Sequence, residues 1–119
     1  MSNSKPTQRS MKLLRDQGYV PTVVEHWNAF SKHRVDLYGF LDIVALKVGQ
    51  RGILGVQTTS GSNITARVKK AKALDKFYLW LACGNVVEFH GWRKIQTRGK
   101  MKTWQPIIQR HSLEEILWD

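Results

Sequence analysis

The chain has very little cysteine and no long apolar segment. Cys83 is the single cysteine, so an internal disulfide and a cysteine-based zinc site are both excluded. It lies in the apolar stretch YLWLACG, which predicts a buried, unreactive thiol. No apolar run approaches the roughly 20 residues of a membrane span, and the polar start MSNSKPTQRS lacks the apolar region of a signal peptide. We therefore expect a cytoplasmic protein with no membrane partner, and a compact gene of this kind fits a phage or a bacterium.

Acidic residues are also scarce, and this scarcity sets the charge of the protein. Nine Asp and Glu stand against nineteen Lys and Arg, which gives a net charge of +10. Hydrophobic residues make up 42% of the 119 positions, so a disordered chain is excluded and one domain over residues 1–119 is expected. Nucleic acid is the commonest partner of so basic a domain. The cations are grouped as phosphate contacts require, at Arg67, Lys69, Lys70, Lys72 and Lys76 and again at Arg93, Lys94, Arg98, Lys100 and Lys102.

Hydrophobic periodicity predicts an α/β protein. A first helix over 7–17 ends at Gly18, and a long helix over 64–82 carries apolar residues at spacings of three and four. The remaining predicted elements are strands over 19–27, 35–46, 53–59, 86–90 with an extension over 92–96, and 103–109, and a short last helix over 113–118. Only the long helix can cross over to a parallel neighbour, which should give a mixed sheet with helices on its faces.

Polar residues with metal-binding chemistry end two of the predicted strands. Asp42 opens one apolar run, and the next run ends in Gln57, Thr58 and Thr59. Residues 57 and 59 share one face of a strand. The Asp42 carboxylate, the Gln57 amide oxygen and the Thr58 carbonyl are oxygen ligands of the kind that Mg²⁺ takes. A bound metal of this kind lowers the pKa of water and stabilises charge on a phosphate.

Two further carboxylates, Glu25 and Asp36, are candidates to join Asp42. Each of these residues also has an ordinary structural explanation. Asp42 can pair with Arg34 or cap a turn, Glu25 can pair with a lysine, and Gln57 can be a satisfied polar group at a strand end. Taken singly, the structural explanation is the commoner one for each residue; taken together and in this order, the residues favour a metal site.

Two more segments have features of a nucleic-acid contact. Ser62 and Asn63 precede a predicted helix that has no acid in its first turn, which suits a bound phosphate; an ordinary helix cap is the alternative. Trp92 and Trp104 lie among the cations of the last hairpin, where aromatic rings can stack on bases. Core packing is the alternative for both, and it is the expectation for Trp27.

The order of elements, together with Asp42 and the triplet Gln57-Thr58-Thr59, resembles the PD-(D/E)xK nuclease superfamily of restriction enzymes and Holliday-junction resolvases. In that superfamily an Asp on the second strand and a (D/E)xK triplet on the third hold the metal. Asp42 matches the Asp, while Gln57 and Thr59 stand where the acid and the lysine would be, a degenerate D...QxT motif. The resemblance covers most of the chain. It implies a restriction-endonuclease-like αβββαβ core, extended by a C-terminal hairpin strand and a short helix.

The resemblance also implies a metal-dependent DNA endonuclease that uses Mg²⁺ or Mn²⁺. Asp42, Gln57 and Thr59 would form the catalytic centre, and Glu25 would join Asp42 and Gln57 as a metal ligand. Lys69 is the first candidate to replace the missing lysine, with Lys70 and Arg67 as the alternatives. Substrate choice would follow DNA structure, branched or single-stranded, and such single-domain enzymes often act as homodimers. The residues expected to contact nucleic acid are Arg34, Ser62, Asn63, Arg67, Lys70, Arg93 and Lys94.

Two other functions fit the same sequence. One is a catalytically inactive nucleic-acid-binding module on the same fold, in which the triplet has decayed. The other is a basic structural protein that associates with RNA or the ribosome. A nuclease requires divalent metal for cleavage, a binding module shows only the salt-dependent binding of phosphate contacts, and a ribosomal protein prefers RNA.

Overall fold

The computed structural model describes residues 5–96, 99 and 101–113, which form a five-stranded mixed sheet with helices on both faces and a separate two-stranded ribbon. In chain order the elements are α1 (Lys5–Asp16), β1 (Val20–Val23), β2 (His26–Asn28), β3 (His33–Val35), β4 (Ile43–Leu46), β5 (Leu54–Ser60), a 3₁₀ turn (Gly61–Asn63), α2 (Ile64–Lys72), α3 (Asp75–Ala82), β6 (Val86–Ile95) and β7 (Thr103–His111).

The main sheet has the strand order β1-β4-β5-β6-β7, and β2 pairs only with β3. Neighbouring strands of the main sheet are antiparallel except β5 and β6, which are parallel over Leu54–Ser60 and Val86–Trp92. The helices α2 and α3 make the connection that this parallel pair needs. The predicted α/β class with a mixed sheet is therefore confirmed.

Strand β5 lies in the middle of the sheet and is buried on both faces. Leu54 and Val56 pack on one face with Met11 and Leu14 of α1. The other face is covered by α2 and α3, whose buried residues include Val68 and Phe77. Because side chains alternate along a strand, neighbouring residues of β5 meet different helices, and this alternation decides which of them can reach the site described below.

A buried polar network fixes α1 against β6. The indole N–H of Trp92 donates to Ser10 Oγ at 2.9 Å, and Ser10 Oγ lies 2.8 Å from His90 Nδ1. An indole can only donate, so we assign the Ser10 proton to the bond with His90 Nδ1. His90 Nε2 is then free to donate to Glu88 Oε1 at 2.9 Å. Burial alone would raise the pKa of Glu88, but hydrogen bonds from His90 and Arg110 lower it overall.

Three predicted elements are divided in the structure. The long predicted helix is divided into α2 and α3, because the backbone of Leu74 is extended (φ −98°, ψ 134°). The strand predicted over 19–27 stops at Val23 and resumes as β2. The strand predicted over 35–46 is interrupted by a turn in which Tyr38 and Gly39 have positive φ values of 55° and 84°, a conformation outside the strand region.

Two predictions about individual side chains were wrong. Cys83 is exposed, because α3 turns Phe77 and Leu81 toward the core and Cys83 follows at its end, off that face. Trp27 is also exposed, since β2 lies in the ribbon and not in the main sheet. The last helix predicted over 113–118 lies outside the described residues beyond Leu113, as do Arg98 and Lys100. Among the helices of the described part, none is long and apolar enough to cross a membrane.

The Ser10 network generates a stability prediction. Ser10→Ala leaves the Trp92 N–H and His90 Nδ1 buried without their partner, so we expect the free energy of unfolding to fall by about 1–3 kcal/mol. Ser31→Ala is the matched control, because Ser31 is exposed and such changes stay within about 0.5 kcal/mol. Urea unfolding followed by tryptophan fluorescence measures both variants. Equal stability of the two variants would contradict this account of the network.

Candidate metal centre

Three carboxylates come together where the ribbon joins the main sheet. Glu25, Asp36 and Asp42 each place one oxygen so that the three atoms lie within 4.8 Å of one another. Glu25 immediately precedes β2, Asp36 immediately follows β3, and Asp42 immediately precedes β4. The antiparallel pairing of β2 with β3 returns the chain to its starting point. The pairing of the ribbon therefore places Glu25 and Asp36 side by side, next to Asp42.

Asp42 is held in place by hydrogen bonds to its neighbours. Its Oδ2 accepts from the Thr58 backbone N–H at 2.7 Å and from the Thr58 hydroxyl at 3.2 Å. The Thr58 hydroxyl lies 3.0 Å from the Thr7 hydroxyl of α1. Since Thr58 gives its proton to Asp42, Thr7 is the donor in that contact. The carboxylate is thus oriented by β5 directly and by α1 through Thr58.

Crowding and burial shift the titration of this group. The Asp42 residue is 5% exposed. Its burial, a hydrogen bond with Asp36 and the charges of Asp36 and Glu25 raise the pKa of Asp42 to about 8, against the opposing effect of the Thr58 N–H. Acids packed this closely cannot all be ionised without a compensating cation. A divalent ion would supply that compensation and favour the ionised form.

Glu25 has an unsatisfied oxygen in the same cluster. Its side chain is 9% exposed, and Oε1 is buried without a hydrogen-bond partner among the described residues. The Arg34 guanidinium lies 3.7 Å from this atom, an ion-pair distance that is too long for a hydrogen bond. A buried carboxylate oxygen in this state is unfavourable. A cation bound between the three acids would satisfy it.

The acids line a polar cavity of about 460 Å³ that is also lined by cations. Arg34 reaches it from β3, and Arg67 and Lys70 reach it from α2, one helical turn apart. Thr7, Thr58 and His33 complete the polar part of the lining. The site therefore combines a cluster of oxygen ligands with positive charges that can bind an anionic group beside it.

The structure brings together seven of the residues expected at the site and separates others from it. The seven that line the cavity are Glu25, Arg34, Asp36, Asp42, Thr58, Arg67 and Lys70. Gln57 and Thr59 do not line it, because they project from the face of β5 opposite to Thr58 and are buried there. The expectation that Gln57 joins Glu25 and Asp42 is therefore not met. Lys69 is exposed on α2 and also lies outside the lining.

The other expected contacts lie on the surface away from the cavity lining. Ser62 and Asn63 are exposed in the 3₁₀ turn, and Asn63 makes no side-chain hydrogen bond that caps α2. Arg93 and Lys94 are exposed on β6. The Arg9 guanidinium lies 3.6 Å from the ring centre of Trp104 and the Lys94 ammonium lies 5.3 Å from it. Trp104 is therefore a surface residue among cations, whereas Trp92 is buried, in agreement with the alternative of core packing.

Sequence reasoning missed Thr7 and His33 and did not foresee that Thr58 acts through its side chain. Thr7 and Thr58 are 51 residues apart, so no local pattern could pair them. The position of His33 at the cavity was not foreseen, because the ribbon to which it belongs was not predicted. Comparison of the chain with models of known families, with curated proteins and with solved structures gave no match at a significant level.

The raised pKa of Asp42 predicts how stability depends on pH without metal. The folded state keeps this proton up to a pH of about 8, whereas the unfolded chain releases it near 3.8. The unfolded state therefore binds fewer protons in this window, and stability falls as pH rises through it, by at most about 1.4 kcal/mol per pH unit. Asp42→Asn should flatten that fall in urea unfolding at pH 5, 6, 7 and 8 in EDTA.

Asp16→Asn is the control for this series, because Asp16 is exposed and its carboxylate pairs with Lys12 across one helical turn. This variant should keep the pH slope of the wild type. If Asp42→Asn had that slope as well, the assignment of the titration to Asp42 would be refuted.

Proposed function

We propose that the chain is a divalent-metal-dependent DNA nuclease whose centre is the cavity formed by Glu25, Asp36 and Asp42. The observation that carries this proposal is the meeting of three carboxylate oxygens within 4.8 Å in a cavity also lined by Arg34, Arg67 and Lys70. Phosphodiester hydrolysis uses both features, a metal held by oxygen ligands and cations that bind the phosphate. The net charge of +10 agrees with a polyanionic substrate.

The donor set suits Mg²⁺ or Mn²⁺. Both are hard cations that take carboxylate oxygens, and Mg²⁺ usually keeps several waters as well. Glu25, Asp36 and Asp42 would hold the ion, and when bound it would supply an activated water and stabilise charge on the phosphate. Thr58 fixes the orientation of Asp42 by its two hydrogen bonds, and a fixed ligand geometry is what such an ion requires.

The cations of the cavity would bind the phosphate of the substrate. Arg34 and Arg67 offer planar guanidinium groups that can bind two phosphate oxygens at once. Lys70 offers a protonated amine, which can donate a hydrogen bond to a phosphate oxygen or to the attacking water. It therefore takes the part expected of Lys69, and it stands in for the lysine that Thr59 replaces. The three cations would neutralise charge that develops on the phosphate.

The order of elements supports the proposed restriction-endonuclease-like core. Helix α1 is followed by the meander β1-β4-β5, then by the helical crossover α2 and α3, and then by β6 parallel to β5. This is the αβββαβ order, with the ribbon β2-β3 inserted between the first two core strands and β7 added at the edge. Asp42 at the start of the second core strand occupies the position of the metal-binding Asp in that superfamily.

One observation favours an inactive binding module as the second candidate. Gln57 and Thr59 replace the acid and the lysine of the triplet, and neither side chain lines the cavity. The Arg34–Glu25 ion pair would then balance part of the acidic charge without metal. Such a module would bind DNA with a steep dependence on salt and would not cleave it.

Removal of the Asp42 carboxylate tests the proposal directly. A panel of single-stranded, duplex and branched DNA is incubated with Mg²⁺ or Mn²⁺, and we expect cleavage that EDTA abolishes. Asp42→Asn should lower the rate by at least about 100-fold, as expected when one group that stabilises the transition state is lost, and should remain folded. Asp16→Asn removes the same charge outside the cavity and should cleave normally. Salt-dependent binding without cleavage of any substrate would establish the inactive module instead.

The adjacent lysines of α2 provide a second, matched test. Lys70 lines the cavity and Lys69 does not, although both are exposed lysines on the same helix. Lys70→Ala should lower the cleavage rate by about 10- to 100-fold, because a hydrogen bond to a charged group is lost in the transition state, while Lys69→Ala should have little effect. Rates are measured on the best substrate of the panel at saturating metal. Equal losses in the two variants would refute the assignment of Lys70 to the centre.

A further inference from the structure

The ribbon β2-β3 carries an aromatic ring at its tip. Phe30 lies in the turn between the two strands and is 101% exposed. Trp27 is half exposed and lies directly across the ribbon from Arg34. Single exposed apolar residues are common on protein surfaces, so exposure of Phe30 alone decides nothing. Its surroundings are what distinguish it.

The tip is held in one conformation. The Asn28 side-chain oxygen accepts from the backbone N–H of Phe30 at 2.9 Å and of Ser31 at 3.1 Å. The Asn28 carbonyl accepts from the Lys32 N–H at 2.8 Å, and Lys32 has a positive φ of 55°. These bonds close the turn as an Asx motif. Phe30 is therefore presented to solvent by an ordered turn, which lowers the entropy that a bound partner would have to offset.

The charge of the ribbon favours an anionic partner. Residues 26–35 contain no Asp or Glu, and they include Lys32, Arg34 and two histidines. Aromatic rings between cations are typical of surfaces that bind single-stranded nucleic acid, where bases stack and phosphates are neutralised. Of the partners that could cover an exposed ring, a nucleic-acid strand is the one that this charge distribution complements.

The ribbon also has a fixed position relative to the candidate metal centre. Its two ends are Glu25 and Asp36, which belong to the acidic cluster, and His33 and Arg34 line the cavity. Phe30 is the fifth residue after Glu25, so at about 3.3 Å per residue the tip lies roughly 15 Å from the acids. That length corresponds to roughly four steps of a DNA strand at 3.4 Å each. A strand whose phosphate is bound in the cavity can reach the ring.

We propose that Phe30 stacks on an unpaired base of DNA bound in the cavity, so that the ribbon selects DNA with an unpaired or unstacked position a few nucleotides from the reacting phosphate. This inference rests on the proposed function, because the cavity is taken to hold the phosphate. A fully paired duplex keeps its bases inside the stack and offers Phe30 no face without unstacking, which is unfavourable by itself. Lys32 would contact the backbone beside that base.

The test measures binding without cleavage. Labelled duplexes with and without a central two-base mismatch bubble are titrated in EDTA, and dissociation constants are obtained by fluorescence anisotropy. The wild type should bind the bubble more tightly, and Phe30→Ala should weaken bubble binding by about 5- to 150-fold, the value of one base–aromatic stack, with little change for the paired duplex. Phe30→Tyr keeps the ring and should keep the preference, whereas Phe30→Leu should lose it.

Val48→Ala is the matched control. Val48 is 102% exposed in the β4–β5 turn beside Lys47, so it is an equally exposed apolar side chain next to a cation, but it lies outside the ribbon. This variant should bind both duplexes as the wild type does. Equal affinity of the wild type for the two duplexes would overturn the proposal, as would an unchanged preference in Phe30→Ala. The wild type and Phe30→Ala are also tested for binding to vesicles containing phosphatidylserine. If Phe30→Ala lost vesicle binding that the wild type has, and the wild type showed no preference for the bubble, the proposal would be overturned in favour of membrane docking.

This measurement separates the two proposals. A bubble preference that depends on Phe30, in a protein that cleaves no DNA with Mg²⁺ or Mn²⁺, would refute the nuclease and support the stacking contact. Metal-dependent cleavage by a protein whose bubble affinity is indifferent to Phe30 would support the nuclease and refute the contact.

Discussion

The residue on which the site depends is Asp42, because its hydrogen bonds join β5 to the segment that leads from β1 into the ribbon. Its backbone N–H donates to the Val56 carbonyl of β5 at 2.9 Å, and its carbonyl accepts from the Val24 N–H after β1 at 2.8 Å. Its carboxylate accepts from Thr58. These bonds hold the residue that precedes β4 against β5 and keep its carboxylate beside Thr58. The ribbon begins next to these bonds, since Glu25 follows Val24, and its other end brings Asp36 into the same acidic cluster.

A buried carboxylate in this place is destabilising unless its charge is balanced. Without metal the protein reduces the cost by retaining a proton, which is the meaning of a pKa of about 8 for Asp42. The nearby Arg34 balances Glu25 only at 3.7 Å. Well-packed structural ion pairs satisfy their oxygens more completely, as Glu88 does here with bonds from His90 and Arg110 at 2.9 and 2.6 Å. This contrast between two acidic sites in one molecule supports the proposed metal binding at the first and a structural role for the second.

The sequence was sufficient for the parts of the fold that local pattern controls. Period-two and helical spacing gave α1, β5 and the α/β class, and the order of apolar runs pointed to Asp42. Local pattern was insufficient where the chain turns between strands. Tyr38 with its positive φ and the extended Leu74 carry no strong sequence signal, so two strands and one helix were drawn too long. The ribbon was missed for that reason, although both acids at its ends, Glu25 and Asp36, were candidates from the sequence. The Gln57 amide and the Thr58 carbonyl were expected together, but it is the backbone N–H and the side chain of Thr58 that contact Asp42, and Gln57 does not line the cavity. An alternating strand offers two sets of side chains, and local pattern does not decide which set meets a residue of another strand.

For the proposed nuclease, the ribbon supplies what a centre that departs from the D...(D/E)xK pattern would need to hold a divalent ion. In that pattern the third strand supplies one acid and one lysine, and here Gln57 and Thr59 supply neither. Glu25 and Asp36, at the two ends of the ribbon, bring two carboxylates to Asp42, and Arg67 and Lys70 of α2 bring the cations. The acidic and basic groups that the third strand lacks are thereby supplied by other elements of the chain. Because the ribbon carries both acids and the exposed ring, it couples the position of the acidic cluster to the position of Phe30. If the metal centre acts on DNA, the same ribbon that completes it also sets how far from the reacting phosphate a distorted base must lie.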